Sequence, residues 1–311
     1  MKKLYFLWTK IKKLLMRILT ALARDNKQRK KIRCWFFPDN VNYIPNDLPM
    51  KKCSQKINVS FCFDNQIAKY AAVTITSLLS VSKGKCDYDI FCVVGKDVTK
   101  ENKNILKNVV KDTGSRLTFF DANDDFDKSG TDNGKWPTSI YYRLMLVKFV
   151  PNIDEIIYAD IDVVFCNDLI EASRIDLANN LLAAVNEAKY SQINSGFLIM
   201  NLKQIRKEGL YEKWIAISKK ENLVNPDQAL LDETCRGRIL FLPVKYNYHP
   251  GSMYLFAGTP RIFSKEFQEL KYHAVVLHYV GGLKPWKDEK CRFLDSEIWW
   301  HYAEQIGGWN K

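Results

Sequence analysis

The chain has 311 residues, 47% of them apolar and 26% charged, which supplies a sizeable core and excludes disordered and fibrous classes. Forty-seven Lys and Arg against 35 Asp and Glu give a formal +12, yet residues 1–33 hold twelve basic side chains and one acid, Asp25. That segment therefore carries +11, the rest is close to neutral, and a nucleic-acid-binding surface on the main domain loses most of its compositional support.

Before residue 34 the longest uncharged stretches are Leu4–Thr9 and Ile18–Ala23, far short of the roughly 20 apolar residues of a membrane span. Lys10, Lys12, Lys13 and Arg17 also interrupt what would be the apolar region of a secretory signal. Leu4, Leu7, Trp8, Ile11, Leu15, Ile18, Leu19 and Leu22 recur at steps of three and four, with Lys3, Lys10, Lys13, Arg17 and Arg24 largely opposite. The spacing predicts a basic amphipathic helix over 1–33, lying in the plane of an anionic membrane surface. Pro38, Pro45 and Pro49 mark 34–56 as a linker.

From Ile57 the pattern changes to strands alternating with helices. Strands are expected at Ile57–Phe63, Tyr88–Val94 and Arg116–Phe120, and helices at Ala68–Leu79 and Lys100–Lys111. Asp121–Pro137, with five aspartates and two glycines, reads as a surface loop of the kind that borders a site. A helix at Ser139–Phe149 follows, then a strand at Glu155–Ala159 that delivers Asp160 and Asp162 at its carboxyl end, where open α/β sheets bind ligands. Beyond it lie strands at Leu182–Val185, Gly196–Asn201 and Val275–Leu277 and helices at Leu202–Lys219 and Asp227–Glu233. The alternation predicts an α/β domain over 57–290, a mostly parallel sheet flanked by helices, with 291–311 as a C-terminal tail. The eight cysteines show no Cys-x-x-Cys pair and no His cluster, arguing for neither a disulfide framework nor zinc and favouring a reducing compartment.

Side chains two apart at an extended strand end point to one side, so Asp160 and Asp162 converge. Two ionised carboxylates held together call for a cation, and hard oxygen donors suit Mg²⁺ or Mn²⁺ better than zinc. Taken alone, Asp-x-Asp is a weak signal and reads first as two solvated acids in a turn. His278-Tyr-Val-Gly281-Gly282-Leu-Lys284-Pro285-Trp286 places an imidazole, two glycines and a lysine after another apolar strand. A neutral imidazole can complete a metal shell, glycine admits phosphate oxygens close to the backbone, and lysine offers them a point charge.

With Asp160-x-Asp162, His278-x-x-Gly281-x-x-Lys284-Pro285-Trp286, Tyr141-Tyr-Arg143-Leu, Asn194-Ser195-Gly196 and Asp227-Gln228, the chain from about Ile57 to Trp286 resembles glycosyltransferase family 8. These are retaining nucleotide-sugar transferases that include bacterial lipopolysaccharide galactosyl- and glucosyltransferases. The resemblance implies a GT-A-like, Rossmann-like fold and a hexosyltransferase that moves galactose or glucose from a UDP-sugar to a glycan or glycolipid acceptor. It implies Mn²⁺, with Mg²⁺ as the alternative, bound by Asp160, Asp162 and His278, and a diphosphate met by Gly281 and Lys284. It implies Asp64 at the uracil ring, and Arg143, Asn194, Asp227 and Gln228 around the donor sugar and reacting carbon. Gln66 and Ile67 depart from the asparagine and aromatic residue common there, and Glu187 falls near the place of an acceptor-side carboxylate. Retention is expected through same-face displacement, with Asp227 as the alternative nucleophile.

Two rivals are weighed. A sugar nucleotidyltransferase calls for a glycine-rich basic signature after the first strand, and Asp64–Lys69 contains no glycine. A non-catalytic, lectin-like or membrane-binding protein on the same fold predicts lost metal or phosphate groups, and all are present. The expected location is the cytoplasmic face of the cytoplasmic membrane, held peripherally through residues 1–33.

Overall fold

The computed structural model describes residues 48–51, 56–126, 136–186, 193–220, 223, 225–249, 273–282, 284–287 and 295–307. The amphipathic helix expected over 1–33, most of the linker, Glu187 and much of the acidic loop lie outside the described residues.

Seven strands form one sheet: β1 Lys56–Phe63, β2 Asp87–Val94, β3 Arg116–Asp121, β4 Glu155–Ala159, β6 Leu182–Asn186, β7 Ile193–Asn201 and β8 Ile239–Leu242, in the order β3-β2-β1-β4-β7-β6-β8. All run parallel except β7, which is antiparallel to both β4 and β6. Two further strands, β5 Val163–Phe165 and β9 Val276–His278, pair antiparallel beside it.

Along each central strand alternate side chains feed two separate cores, as the twofold period of a strand requires. Ile57, Val59, Phe61 and Phe63 of β1 pack with α1 (Ala68–Ser82) and α2 (Lys100–Val110) on one face. Cys62 of β1, with Ile156 and Tyr158 of β4, meets α3 (Tyr142–Phe149), α5 (Leu202–Lys207), α6 (Leu210–Lys220) and α7 (Pro226–Thr234) on the other. The short α4 spans Ile170–Ser173. Burying one such large apolar side chain is worth about 1.5–3 kcal/mol, so the covering of both faces explains why these strands read as nearly continuous apolar runs.

Chain order sets the site. From β1 the chain moves outward to β2 and β3 and then returns to the other side of β1 for β4, so the carboxyl ends of β1 and β4 flank the point where strand order reverses. Asp64 follows β1 and Asp160 follows β4. The reversal of β7 brings its beginning beside the end of β4, with Ala159 opposite Phe197. The strand expected over Gly196–Asn201 begins earlier, at Ile193, and so includes Asn194 and Ser195. The single helix expected over Leu202–Lys219 is two, α5 and α6, separated at Gly209, whose φ of 61° is the left-handed conformation that ends a helix. Ser139–Phe149 opens as a 3-10 turn, Thr138–Tyr141, before α3.

Within the expected tail, Ser296–Ile306 forms a helix, α8, whose Trp299 and Ala303 are buried in the same core as α1. Trp286 stacks on Tyr70 of α1 at 4.2 Å and lies 5.2 Å from Trp299, while Trp300 Nε1 donates to the Pro285 carbonyl at 3.1 Å. Helix α8 thus anchors the segment that carries Lys284. Trp299→Ala is expected to destabilise the fold by about 3–5 kcal/mol, read as a lowered denaturant midpoint. A change below about 0.5 kcal/mol, the range of surface substitutions, would mean α8 is not part of the packed unit.

Candidate active site

Three groups meet at the end of β4. Asp160 and Asp162 leave that strand, and the β5–β9 pairing sets His278 opposite Val163, one residue past Asp162. His278 Nε2 lies 3.1 Å from Asp162 Oδ1 and 3.8 Å from Asp160 Oδ2. One ligand atom from each residue falls within 4.8 Å of the others. Two hard carboxylate oxygens and one imidazole are a donor set for Mn²⁺ or Mg²⁺, so the residues fit the ion that the sequence motifs imply. Burial and the neighbouring Asp162 charge push the Asp160 carboxyl above its ordinary value, with Arg143 and His278 opposing. Against the burial that would raise it, Lys284 and His278 hold Asp162 well below the usual carboxylate range. Lys284 Nζ donates to Asp162 Oδ2 and, at 2.6 Å, to the Tyr279 carbonyl. Gly281, in the turn between them, has a φ of 88° that only glycine adopts readily.

Arg143 is the second organising group. Its side chain is 7% exposed and reaches Asp160 Oδ1 at 2.9 Å and Asp227 Oδ2 at 3.3 Å. It also donates to the Ser195 carbonyl at 2.8 Å and lies 4.5 Å over the Tyr158 ring. Against the burial that would lower it, Asp160 and Asp227 hold the guanidinium above its ordinary value. Asp227 accepts in addition from Ser195 Oγ at 3.0 Å, and Gln228 Oε1 accepts from the Ser195 amide at 3.1 Å. Helix α7, which carries both, starts with Pro226 in its first turn after Asn225 in a left-handed conformation. Both residues thereby face the start of β7.

Asp160, Asp162, His278, Lys284, Arg143, Asn194, Asp227 and Gln228 form one connected network. The hydrogen bonds of Asp64 run instead to Ser139 Oγ, at 2.8 Å, and to the Gln66 amide, at 3.1 Å, which fix its carboxylate at the end of the adjacent strand. Five further residues take part, and of these only Ser195 lies within a sequence motif. Tyr158 donates to Asp160 Oδ1 at 2.5 Å, Ser139 orients Asp64, and Ser195 orients Asp227. Asn247 and His249, both buried, sit against His278: Asn247 Oδ1 lies 2.8 Å from His278 Nδ1 and 3.1 Å from His249 Nε2. The available signal for the last two was the Asn-Tyr-His alternation in a segment leading back toward the site.

The fold and this network define a GT-A-type glycosyltransferase. The sequence model described as Glycosyl transferase family 8 matches residues 58–290, and the chain belongs to that family. A Haemophilus influenzae protein assigned as a glycosyltransferase is 30% identical over 79% of this chain and 77% of its own length. The lipopolysaccharide 1,2-glucosyltransferase of Escherichia coli is 24% identical over 75% of this chain and 74% of that protein. Among solved structures, the galactosyltransferase LgtC in complex with donor and acceptor sugar analogues superposes with a TM-score of 0.66 at 19% identity, covering 82% of this chain and 98% of LgtC.

Gly196 is the tightest point of the site. A Cβ there would stand 2.1 Å from His278 Cε1 and 2.5 Å from His278 Nδ1, distances no real contact tolerates. Gly196→Ala is expected to displace His278 and weaken Mn²⁺ binding about 10-fold or more while leaving the far-ultraviolet circular dichroism intact. Unchanged ion affinity in titration would show that His278 does not hold the ion.

Proposed function

We propose that the protein is a metal-dependent retaining hexosyltransferase that moves galactose or glucose from a UDP-sugar to a glycan or glycolipid acceptor in lipopolysaccharide or other cell-surface polysaccharide assembly. The observation that carries this reading is the convergence of Asp160, Asp162 and His278 beside Lys284 at the strand-order reversal. The names of the Escherichia coli relative and of LgtC support a hexose donor and a surface-glycan acceptor.

Asp160, Asp162 and His278 would hold Mn²⁺ or Mg²⁺, which supplies a Lewis acid for the diphosphate oxygens of the donor. Asp64, held by Ser139, reads the base. Lys284 contributes a point charge where negative charge grows as the sugar–phosphate bond breaks, and Gly281 lets the backbone approach the same oxygens. Asp227 is neutralised by Arg143 and accepts from Ser195, so it is a weak nucleophile suited to orienting sugar hydroxyls. That favours displacement on one face. The bond from the anomeric carbon to the diphosphate oxygen breaks, the acceptor oxygen bonds to that carbon from the same side, and the acceptor proton passes to the departing diphosphate. Configuration is then retained without a covalent enzyme intermediate.

Calorimetric titration with UDP-galactose, UDP-glucose, UDP-N-acetylglucosamine and ADP-glucose, each with and without Mn²⁺, tests the reading. One UDP-hexose is expected to bind only with the ion, and Asp162→Ala to lower that affinity by more than about 100-fold. Failure of every UDP-sugar to bind the intact protein would overturn it.

We infer also that residues 1–33 attach the enzyme peripherally to the cytoplasmic face of the membrane, where a lipid-linked acceptor is presented. The support is the +11 charge of that segment and its leucine-rich stripe, each basic group being worth about 1 kcal/mol near an anionic surface. Deleting 1–33 is expected to abolish co-sedimentation with phosphatidylglycerol-containing vesicles while turnover of a soluble acceptor persists. Undiminished vesicle binding would refute the attachment.

A further inference from the structure

His278 touches more than the two carboxylates, and its other ring nitrogen is held by a chain of contacts that begins at the backbone. The Gly196 amide can only donate, and it donates to Asn194 Oδ1 at 3.0 Å, which fixes that atom as the oxygen of the Asn194 side chain. The Asn247 atom 2.7 Å from it must then be the amide nitrogen, Nδ2, so the opposite end of Asn247 is an oxygen. That oxygen faces His278 Nδ1 at 2.8 Å and His249 Nε2 at 3.1 Å. An amide oxygen accepts and never donates, so each imidazole presents an N–H to it. Asn247 is fully buried, so no water competes for these bonds, and His249 packs edge-on against the His278 ring at 4.9 Å with the planes at 90°.

We infer that Asn247 is a positioning residue that selects the Nδ1–H tautomer of His278, relaying the direction of the Gly196 amide through Asn194, and so leaves the Nε2 lone pair aimed at Asp160 and Asp162. Nε2 is the ring nitrogen beside those carboxylates, at 3.1 Å from Asp162. Without the relay a neutral ring could turn its N–H toward them, a hydrogen bond that satisfies the carboxylate but removes the imidazole as a ligand. Asn194 then has a role distinct from contact with the donor sugar: its oxygen joins a backbone amide to the ring. Gly196 contributes twice, as the donor that starts the relay and as the missing Cβ that leaves room for the ring.

The tautomer is independent of the proposed metal reaction, whereas its effect on ion affinity rests on that reading, and the two are measured separately. The intact metal-free protein is labelled with ¹⁵N-histidine and examined by NMR at alkaline pH, where the imidazoles are neutral. Its four histidines allow His278 to be assigned with His278→Gln. The expected signal places the proton on Nδ1, the form disfavoured in free histidine. Asn247→Leu is expected to lose this preference and to weaken Mn²⁺ binding, followed by the paramagnetic resonance of free ion, by about 10-fold or more. Asn247→Asp, which keeps an acceptor toward the ring but loses the donor to Asn194, is expected to retain the Nδ1–H tautomer that Asn247→Leu loses. Should Asn247→Leu not fold, Asn194→Ala, which frees Asn247 to rotate, is expected to give mixed tautomers. A parent His278 protonated on Nε2, or a folded Leu variant that keeps both tautomer and affinity, would overturn the inference. An Nδ1–H parent whose tautomer Asn247→Leu abolishes, yet which binds no Mn²⁺, would sink the metal reading and leave the positioning role standing.

Discussion

The repulsion between Asp160 and Asp162 is the constraint around which the rest of the site is built. Two carboxylates leaving one strand end, each largely shielded from water, are unfavourable as ions unless positive charge surrounds them. The fold supplies it from two independent directions, with the His278 ring placed between the acids. Arg143 comes from α3 beneath Asp160, Lys284 comes from the turn after β9 to Asp162, and His278 lies between the two acids. The two acids are pushed in opposite directions: Lys284 and His278 hold Asp162 well below the usual carboxylate range against its burial, while burial and the Asp162 charge raise Asp160.

Arg143 also joins the two halves of the site, because the same guanidinium that faces Asp160 faces Asp227 and the Ser195 carbonyl. Its position depends on the fold at several levels. The 3-10 turn before α3 places Ser139 on Asp64, and Arg143 follows one turn later, bonded through Nε to the Ile140 carbonyl at 3.2 Å. A displacement of α3 would therefore be felt at Asp64, at the Asp160–Asp162–His278 cluster and at Asp227 together. Lysine could not replace arginine here without loss, since a point charge cannot serve three acceptors lying in different directions from one plane.

Much of this was legible in the sequence, because strand ends and short motifs carry their own geometry. Asp160 and Asp162 were readable from their spacing after an apolar strand, and His278, Lys284 and the two glycines from their crowding after another. Asn247 and His249 were harder to read, since the Asn-Tyr-His alternation gains meaning only once His278 is known as its partner. The reversal of β7 was open to physical argument: Asn186 and Ile193 are too close in sequence for a crossover helix, which takes a dozen or more residues, so these strands had to be antiparallel. Strands as short as Val163–Phe165 and Val276–His278 gain their identity only from pairing with each other, and local pattern cannot supply that. Helix α8 was hidden by its position near the end of the chain, although Trp299 and Ala303, four residues apart, are one stripe of a helix.

That stripe explains why the segment carrying Gly281, Gly282 and Lys284 ends in Pro-Trp. Lys284 has a long, flexible side chain, and its ammonium is useful only if the backbone beneath it is fixed. Trp286 supplies the fixing point, clamped between Tyr70 of α1 and Trp299 of α8, while the Pro285 carbonyl accepts from Trp300. Four and five residues before Trp286, the same segment turns through Gly282 and Gly281, where an added Cβ would meet nothing within 4 Å, so a tightly packed tryptophan and open glycines lie a few positions apart. In the proposed reaction lysine and glycine face the diphosphate, and tryptophan ties them to the core. The aromatic cluster is thus the mechanical counterpart of the charge network around Asp162, and the terminal helix, remote from the chemistry in sequence, holds one of its two principal cations in place.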